Sequence, residues 1–129
     1  MNNKILKLTP FVVEKIWGGK KIAKWKGWPD SLIGETWEIS THPEGVSRLG
    51  EFSLRDFIEL NYLVKFIDTT QHLSIQVHPD DEYALKHENQ KGKTECWLVL
   101  ESEKGSGIYL GLKKDVTKKE FRTAVSNNV

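Results

Sequence analysis

The sequence predicts a mainly β fold, a sandwich or barrel with short helices set into it. Three observations carry that prediction. Short runs of β-branched and aromatic residues recur along the 129 residues, each bounded by Gly, Pro or Asp. The helical patterns between them are short, unlike the longer helices of a βαβ fold. No internal repeat, low-complexity tract or long linker divides the chain, so residues 1–129 are expected to form a single domain.

The strand candidates follow from alternation and composition. The strong ones are residues 36–40, 63–67, 73–78, 95–101 and 107–112, with weaker ones at 5–8 and 46–49. The run Glu103-Lys104-Gly105-Ser106-Gly107 reads as a hairpin turn between the last two strong strands. Three helices are expected. Ser53 can cap one reaching about Leu60, and Asp80 one reaching about Glu88. Thr117-Lys118-Lys119-Glu120 has capping-box spacing, with Val116 and Phe121 placed for a hydrophobic staple.

Bulk properties narrow the function classes. Lys plus Arg is 19 against 18 for Asp plus Glu, a net charge of +1, which gives no electrostatic drive toward nucleic acid or an anionic membrane. A small phosphorylated ligand could still use a local basic cluster. The lysine-interrupted N-terminus has no apolar run of signal-peptide length, and nothing approaches the ~20 apolar residues of a membrane span. The one cysteine, Cys96, excludes an internal disulfide, suits a reducing cytosol, and lies in an apolar run that reads as buried core. A cytoplasmic protein is the expectation.

The segment richest in chemistry is Leu73-Ser74-Ile75-Gln76-Val77-His78-Pro79-Asp80-Asp81. Strand alternation puts Ser74, Gln76 and His78 on one face and Leu73, Ile75 and Val77 on the other, the apolar face belonging to a core. Seventeen residues after His78, Lys93-Thr94-Glu95 leads into another strand whose Lys93, Glu95 and Trp97 share a face. With the two strands side by side, Gln76, His78 and Glu95 could converge on one divalent ion, zinc among those that suit imidazole and carboxylate. A half-solvated sheet face would show the same alternation, and spacing alone leaves the two readings open.

The residues 73–84 (LSIQVHPDDEYA) followed by 92–97 (GKTECW) resemble the metal-binding core of the type I mannose-6-phosphate isomerases. Ile16-Trp17-Gly18-Gly19, the run 34–40 (GETWEIS) and the run 63–68 (LVKFID) match the same family in the same order. The resemblance implies a cupin-like (jelly-roll) β-barrel, or part of one, binding one Zn2+ through Gln, His, Glu and a second His. Gln76, His78 and Glu95 match the first three ligands. Ser74 and Lys93 match catalytic-site positions lining the sugar-phosphate pocket, Lys65 a substrate-phosphate lysine, and Trp17 a pocket-lining position. The implied reaction interconverts mannose 6-phosphate and fructose 6-phosphate through a cis-enediol.

The chain departs from the family in length. The resemblance implies a fourth ligand His and a catalytic Arg in a later half, beyond Val129. His87, in the expected helix after Asp80, is a candidate substitute ligand; His42 and His72 occupy no family ligand position. The stretch between Leu49 and Leu63 is also shorter than the family's. An incomplete barrel would leave strand edges open to another chain, so self-association or a complementing C-terminal fragment is expected. The alternative is a non-catalytic fragment that binds metal or sugar phosphate. A cupin-type metal oxidoreductase is disfavoured by the Gln76 and Lys93 matches.

Overall fold

The computed structural model describes residues 5–127. In chain order the elements are β1 (Phe11–Gly19), α1 (Lys21–Lys26), β2 (Ile33–Ile39), β3 (Thr41–His42), β4 (Gly45–Val46), β5 (Arg48–Leu49), β6 (Phe52–Ser53), a 3-10 turn (Leu54–Asp56), β7 (Val64–Ile67), α2 (Asp81–Glu88) and α3 (Lys118–Ser126). The chain is thus mainly β with short helices, divided into two compact units, Met1–Ser74 and Ile75–Val129.

The first unit is built on a three-stranded antiparallel sheet in the order β1-β2-β7. Strand β1, which begins Phe11-Val12-Val13, pairs Phe11 with Trp37 and Val13 with Glu35 before bulging away beyond Glu14. Its end returns so close to β2 that a Cβ on Gly18 would lie 2.6 Å from the Ile33 carbonyl carbon and from the Gly34 nitrogen. Only glycine allows that approach. On the other edge of β2, Trp37 faces Lys65 and Thr36 faces Phe66.

Helix α1 supplies the core. Ile22 and Ala23 pack on Ile33, with Trp28 and Phe66 against them. The helix has no side-chain cap of its own at Lys20. Instead the Asp68 carboxylate, just past β7, accepts the Lys21 N–H at 2.6 Å. That bond satisfies an orphan donor of the first turn from a sequence-distant residue. Both β1 and α1 lie outside the sequence expectation, because β1 is interrupted by charges and α1 is under two turns long.

Several expected elements come out differently. Residues 5–8 form no strand; the adjacent Thr9 instead makes an isolated bridge with Arg48. The expected strand 46–49 is split into β4 and β5 around Ser47, whose buried hydroxyl donates to the Trp37 carbonyl and accepts the Ser40 N–H. Those bonds turn the chain at Ser47. The expected helix from Ser53 to Leu60 is a single 3-10 turn. Its capping box, Ser53 with Asp56, is present, but the Leu60 N–H is taken by the Thr41 hydroxyl at 3.0 Å, drawing the backbone out of helical register.

The largest correction begins in the last two residues of the first unit and runs through the second. Residues 73–78, 95–101 and 107–112 are assigned no strand pairing among the described residues, although all three alternate as strands do. Alternation marks the faces of an extended segment; a strand also needs a backbone partner. The apolar face consequently lies open. Ile75 is 75% exposed and Val77 83% exposed, and Cys96 is exposed rather than buried. The expected turn is present, with the Ser106 N–H donating to the Glu103 carbonyl. No closed barrel is found among the described residues.

The two expected helices of this unit form at the expected caps. Asp80 accepts the Tyr83 N–H at 2.8 Å and starts α2. Thr117 and Glu120 form the capping box of α3. The backbone N–H of Thr117 and then its hydroxyl hold the Glu120 carboxyl below its ordinary value of 4.5. A lowered folded value means the cap contributes fully above about pH 4.5 and is lost as pH falls through that lowered value. Acidification should therefore fray the first turn of α3, seen as faster exchange of the Glu120 amide. In Glu120→Gln, which removes the titrating carboxyl, that acid-induced change should be absent.

Candidate metal centre

The site is assembled by two segments that meet at one backbone contact. The Lys93 N–H donates to the Pro79 carbonyl at 3.1 Å, and the Gly92 N–H donates to the Asp81 carboxylate at 2.8 Å. His78 immediately precedes the first of these segments, and Glu95 follows the second by two residues. Helix α2 fills the excursion between them and reverses at Asn89, which adopts the left-handed conformation (φ 52°).

The result is a row of three ionisable side chains. His78 Nε2 lies 3.2 Å from Glu95 Oε2, and both side chains are about three-quarters covered. Lys93 Nζ lies 2.9 Å from the other carboxylate oxygen, Oε1. The Trp97 indole adds a hydrogen bond to the same carboxylate. Partial burial alone would raise the Glu95 carboxyl; hydrogen bonding and charge from Lys93, the charge of His78 and the Trp97 bond outweigh it and hold the group below its ordinary value. Glu95 is therefore kept ionised, as a metal ligand must be.

The His78 imidazole and the Glu95 carboxylate are donors that suit a divalent ion of the zinc type. Two donors that share a tetrahedral zinc at about 2.0–2.1 Å stand roughly 3.3 Å apart, close to the His78–Glu95 separation. Lys93 pairs with the other carboxylate oxygen, where an outer partner of a metal-binding carboxylate would stand. Gln76 is exposed, two residues before His78. Among the described residues no cluster of three His, Cys, Asp or Glu side chains is found, and the proposed triad contains only two of those types.

The remaining expected site residues lie in the first unit. Lys65 Nζ is 3.3 Å from both carboxylate oxygens of Glu35, whose Oε2 also accepts the Trp37 indole N–H at 2.7 Å. Trp17 is half-buried, and its carbonyl accepts the Thr70 N–H. Ser74 is the last residue of that unit. His87 stacks on Tyr83 on the exposed side of α2, at 4.2 Å between ring centroids, and His42 sets its ring edge-on to Trp37.

Sequence reasoning missed the Asp81–Gly92 bond, the Glu35–Lys65 pair and the indole bond of Trp97. Only the last left a signal, in the shared face of Lys93, Glu95 and Trp97.

No protein-family model matches the chain. Curated relatives do. The mannose-6-phosphate isomerase of Streptococcus mutans is 37% identical over 88% of this chain and 42% of its own length. Mannose-6-phosphate isomerase ManA of Bacillus subtilis is 35% identical over 97% of this chain and 46% of its own length. A crystal structure of the mannose 6-phosphate isomerase from Bacillus subtilis superposes with a TM-score of 0.56 at 34% identity, covering 66% of this chain and 34% of that one. The chain spans less than half the length of the curated relatives it matches. With this identity running along nearly all of its residues, the chain belongs to the mannose-6-phosphate isomerase family, matching a portion of such an enzyme consistent with its N-terminal part.

Proposed function

We propose that this chain carries the metal-binding portion of a zinc-dependent aldose–ketose isomerase that interconverts mannose 6-phosphate and fructose 6-phosphate. The observation that carries the reading is the His78–Glu95 pair at 3.2 Å with Lys93 on the free carboxylate oxygen. Gln76, His78 and Glu95 would hold Zn2+. When bound, the ion would supply electrophilic stabilisation of sugar oxygens as negative charge develops across C1 and C2.

The chain's own residues have separable tasks. Glu95, held ionised chiefly by Lys93, is a poor acceptor for the C2 proton and would serve as a ligand. Lys93, about half exposed at its side chain, is assigned to the sugar-phosphate pocket by family resemblance, where its cation would stabilise developing negative charge. Ser74, Lys65 and Trp17 are assigned to the substrate by family resemblance. Lys65 would have to loosen its pairing with Glu35 to meet a phosphate.

The reading includes a cupin-type barrel and a cytoplasmic setting. Residues 73–78, 95–101 and 107–112 would be barrel strands whose backbone partners come from a second copy or a complementing C-terminal fragment. Their exposed apolar side chains support that view. Sedimentation of the purified chain should show concentration-dependent association; a monomer at every concentration would count against the second-copy form.

The direct test combines zinc titration with a coupled assay for fructose 6-phosphate formed from mannose 6-phosphate. One zinc per chain and slow turnover are expected. Zinc binding without turnover removes the stand-alone reaction, and absence of both sinks the proposal.

A further inference from the structure

We infer that Asp81 is a positioning residue: by accepting the Gly92 N–H it clamps the two ligand-bearing segments together and sets the distance between His78 and Glu95 before any ion arrives. The inference rests on the metal-site reading for its consequence in zinc affinity, while the clamp itself is a property of the metal-free chain.

Four observations converge on the clamp. The Asp81 carboxylate accepts the Gly92 N–H at 2.8 Å. The neighbouring Lys93 N–H donates to the Pro79 carbonyl at 3.1 Å, so two successive amides of one segment are held by the other. A Cβ on Gly92 would lie 2.6 Å from the Asp81 nitrogen and 2.7 Å from the Pro79 oxygen, so the contact is backbone against backbone. No side-chain shift could relieve such an overlap. Finally, the two consecutive aspartates divide their work. Asp80 caps α2 through the Tyr83 N–H, and Asp81 faces away from that bond toward Gly92.

The physical effect is preorganisation. Without the clamp, each binding event would have to close the chain between His78 and Glu95 and order both side chains. With it, the ends of the excursion are already fixed and α2 fills the distance between them. Outer partners of this kind change metal affinity by about 10- to 100-fold when removed. Asp81 is not one of the proposed ligands; it acts through the backbone of Gly92.

Four variants of the full 129-residue chain separate the possibilities: Asp81→Ala, Asp81→Asn, Asp80→Ala and Gly92→Ala. The metal-free proteins are compared by the nuclear Overhauser contact between the His78 ring and the Glu95 side chain, and by exchange of the Gly92 amide. Zinc affinity is then measured by competition with a chelator of known affinity. Asp81→Ala and Gly92→Ala should lose the contact and weaken zinc by about 10- to 100-fold. Asp81→Asn should keep both, since its carboxamide oxygen can accept the same N–H. Asp80→Ala should weaken α2 yet keep the His78–Glu95 contact. Retention of the contact and of zinc affinity in Asp81→Ala would overturn the inference. Should Asp81→Ala fail to fold, loss of the contact in a folded Asp81→Asn would overturn it equally. If zinc binds none of the proteins but the contacts follow this order, the metal-site reading fails while the clamp stands.

Discussion

Replacing Glu95 by alanine is expected to weaken zinc binding by roughly 100- to 1000-fold, and His78→Ala by a similar factor. The magnitude follows from the affinity of a full ligand set. Four protein ligands together contribute about 10–16 kcal/mol, or about 2.5–4 kcal/mol each. Glu95 should stand at the upper end. Its removal deletes a donor and also leaves Lys93, 2.9 Å from Oε1, as an uncompensated cation beside the ion. Glu95→Gln separates these effects, because it keeps an oxygen donor while removing the charge that Lys93 balances. Isothermal titration of the three variants should rank them Glu95→Gln above His78→Ala above Glu95→Ala. Unchanged affinity in Glu95→Ala would remove the carboxylate from the ligand set.

The second large effect concerns the first unit. Ile33→Ala is expected to destabilise it by about 2–5 kcal/mol. Buried apolar side chains are few here: Ile33 is fully buried against Ile22 and Ala23, and Trp28 and Phe66 complete the cluster only partially. Small domains are stable by about 5–15 kcal/mol, so a loss of that size approaches the whole margin. Ile33 also begins β2 and lies beside Gly18, so the cavity would open where β1 returns to the sheet. Urea unfolding followed by tryptophan fluorescence should show a markedly lower midpoint for Ile33→Ala. Val64→Ala, on a half-exposed edge residue, should shift it little. Equal midpoints for Ile33→Ala and the parent chain would locate the core elsewhere.

What the sequence made legible, and what it hid, follows from how each feature is encoded. Asp80 and Thr117 announce α2 and α3, because a cap is written within four residues. The strand expected at residues 36–40 announces β2 for the same local reason. Alternation also grouped Lys93, Glu95 and Trp97, which meet at one carboxylate. It could not say which backbone would pair with residues 73–78 or 95–101, since a hydrogen-bond partner is not written in the segment that needs one. That gap explains the open faces at Ile75 and Val77 and the exposure of Cys96, each expected inside a core. The Asp68–Lys21 and Asp81–Gly92 bonds were hidden for a related reason: each spans many residues and joins a side chain to a backbone amide. Any Asp near a turn looks alike in sequence. The family resemblance named Gln76, His78 and Glu95; the contact between Pro79 and Lys93 gives a physical account of why two of them meet.

The excursion held between Pro79 and Lys93 also makes this region modular. The chain leaves and re-enters through the Pro79–Lys93 backbone contact and the Asp81–Gly92 bond, so the positions of His78 and Glu95 are set at the neck. The far end, where Asn89 turns the chain back beyond α2, is free of that duty. Sequence inserted at the exposed Asn89-Gln90 tip lengthens the excursion without moving its neck, because added loop length costs little once the ends are tied. The tip is thus a natural port for a label or an extra binding element, and it lets length vary there while the chemistry at the neck stays in register.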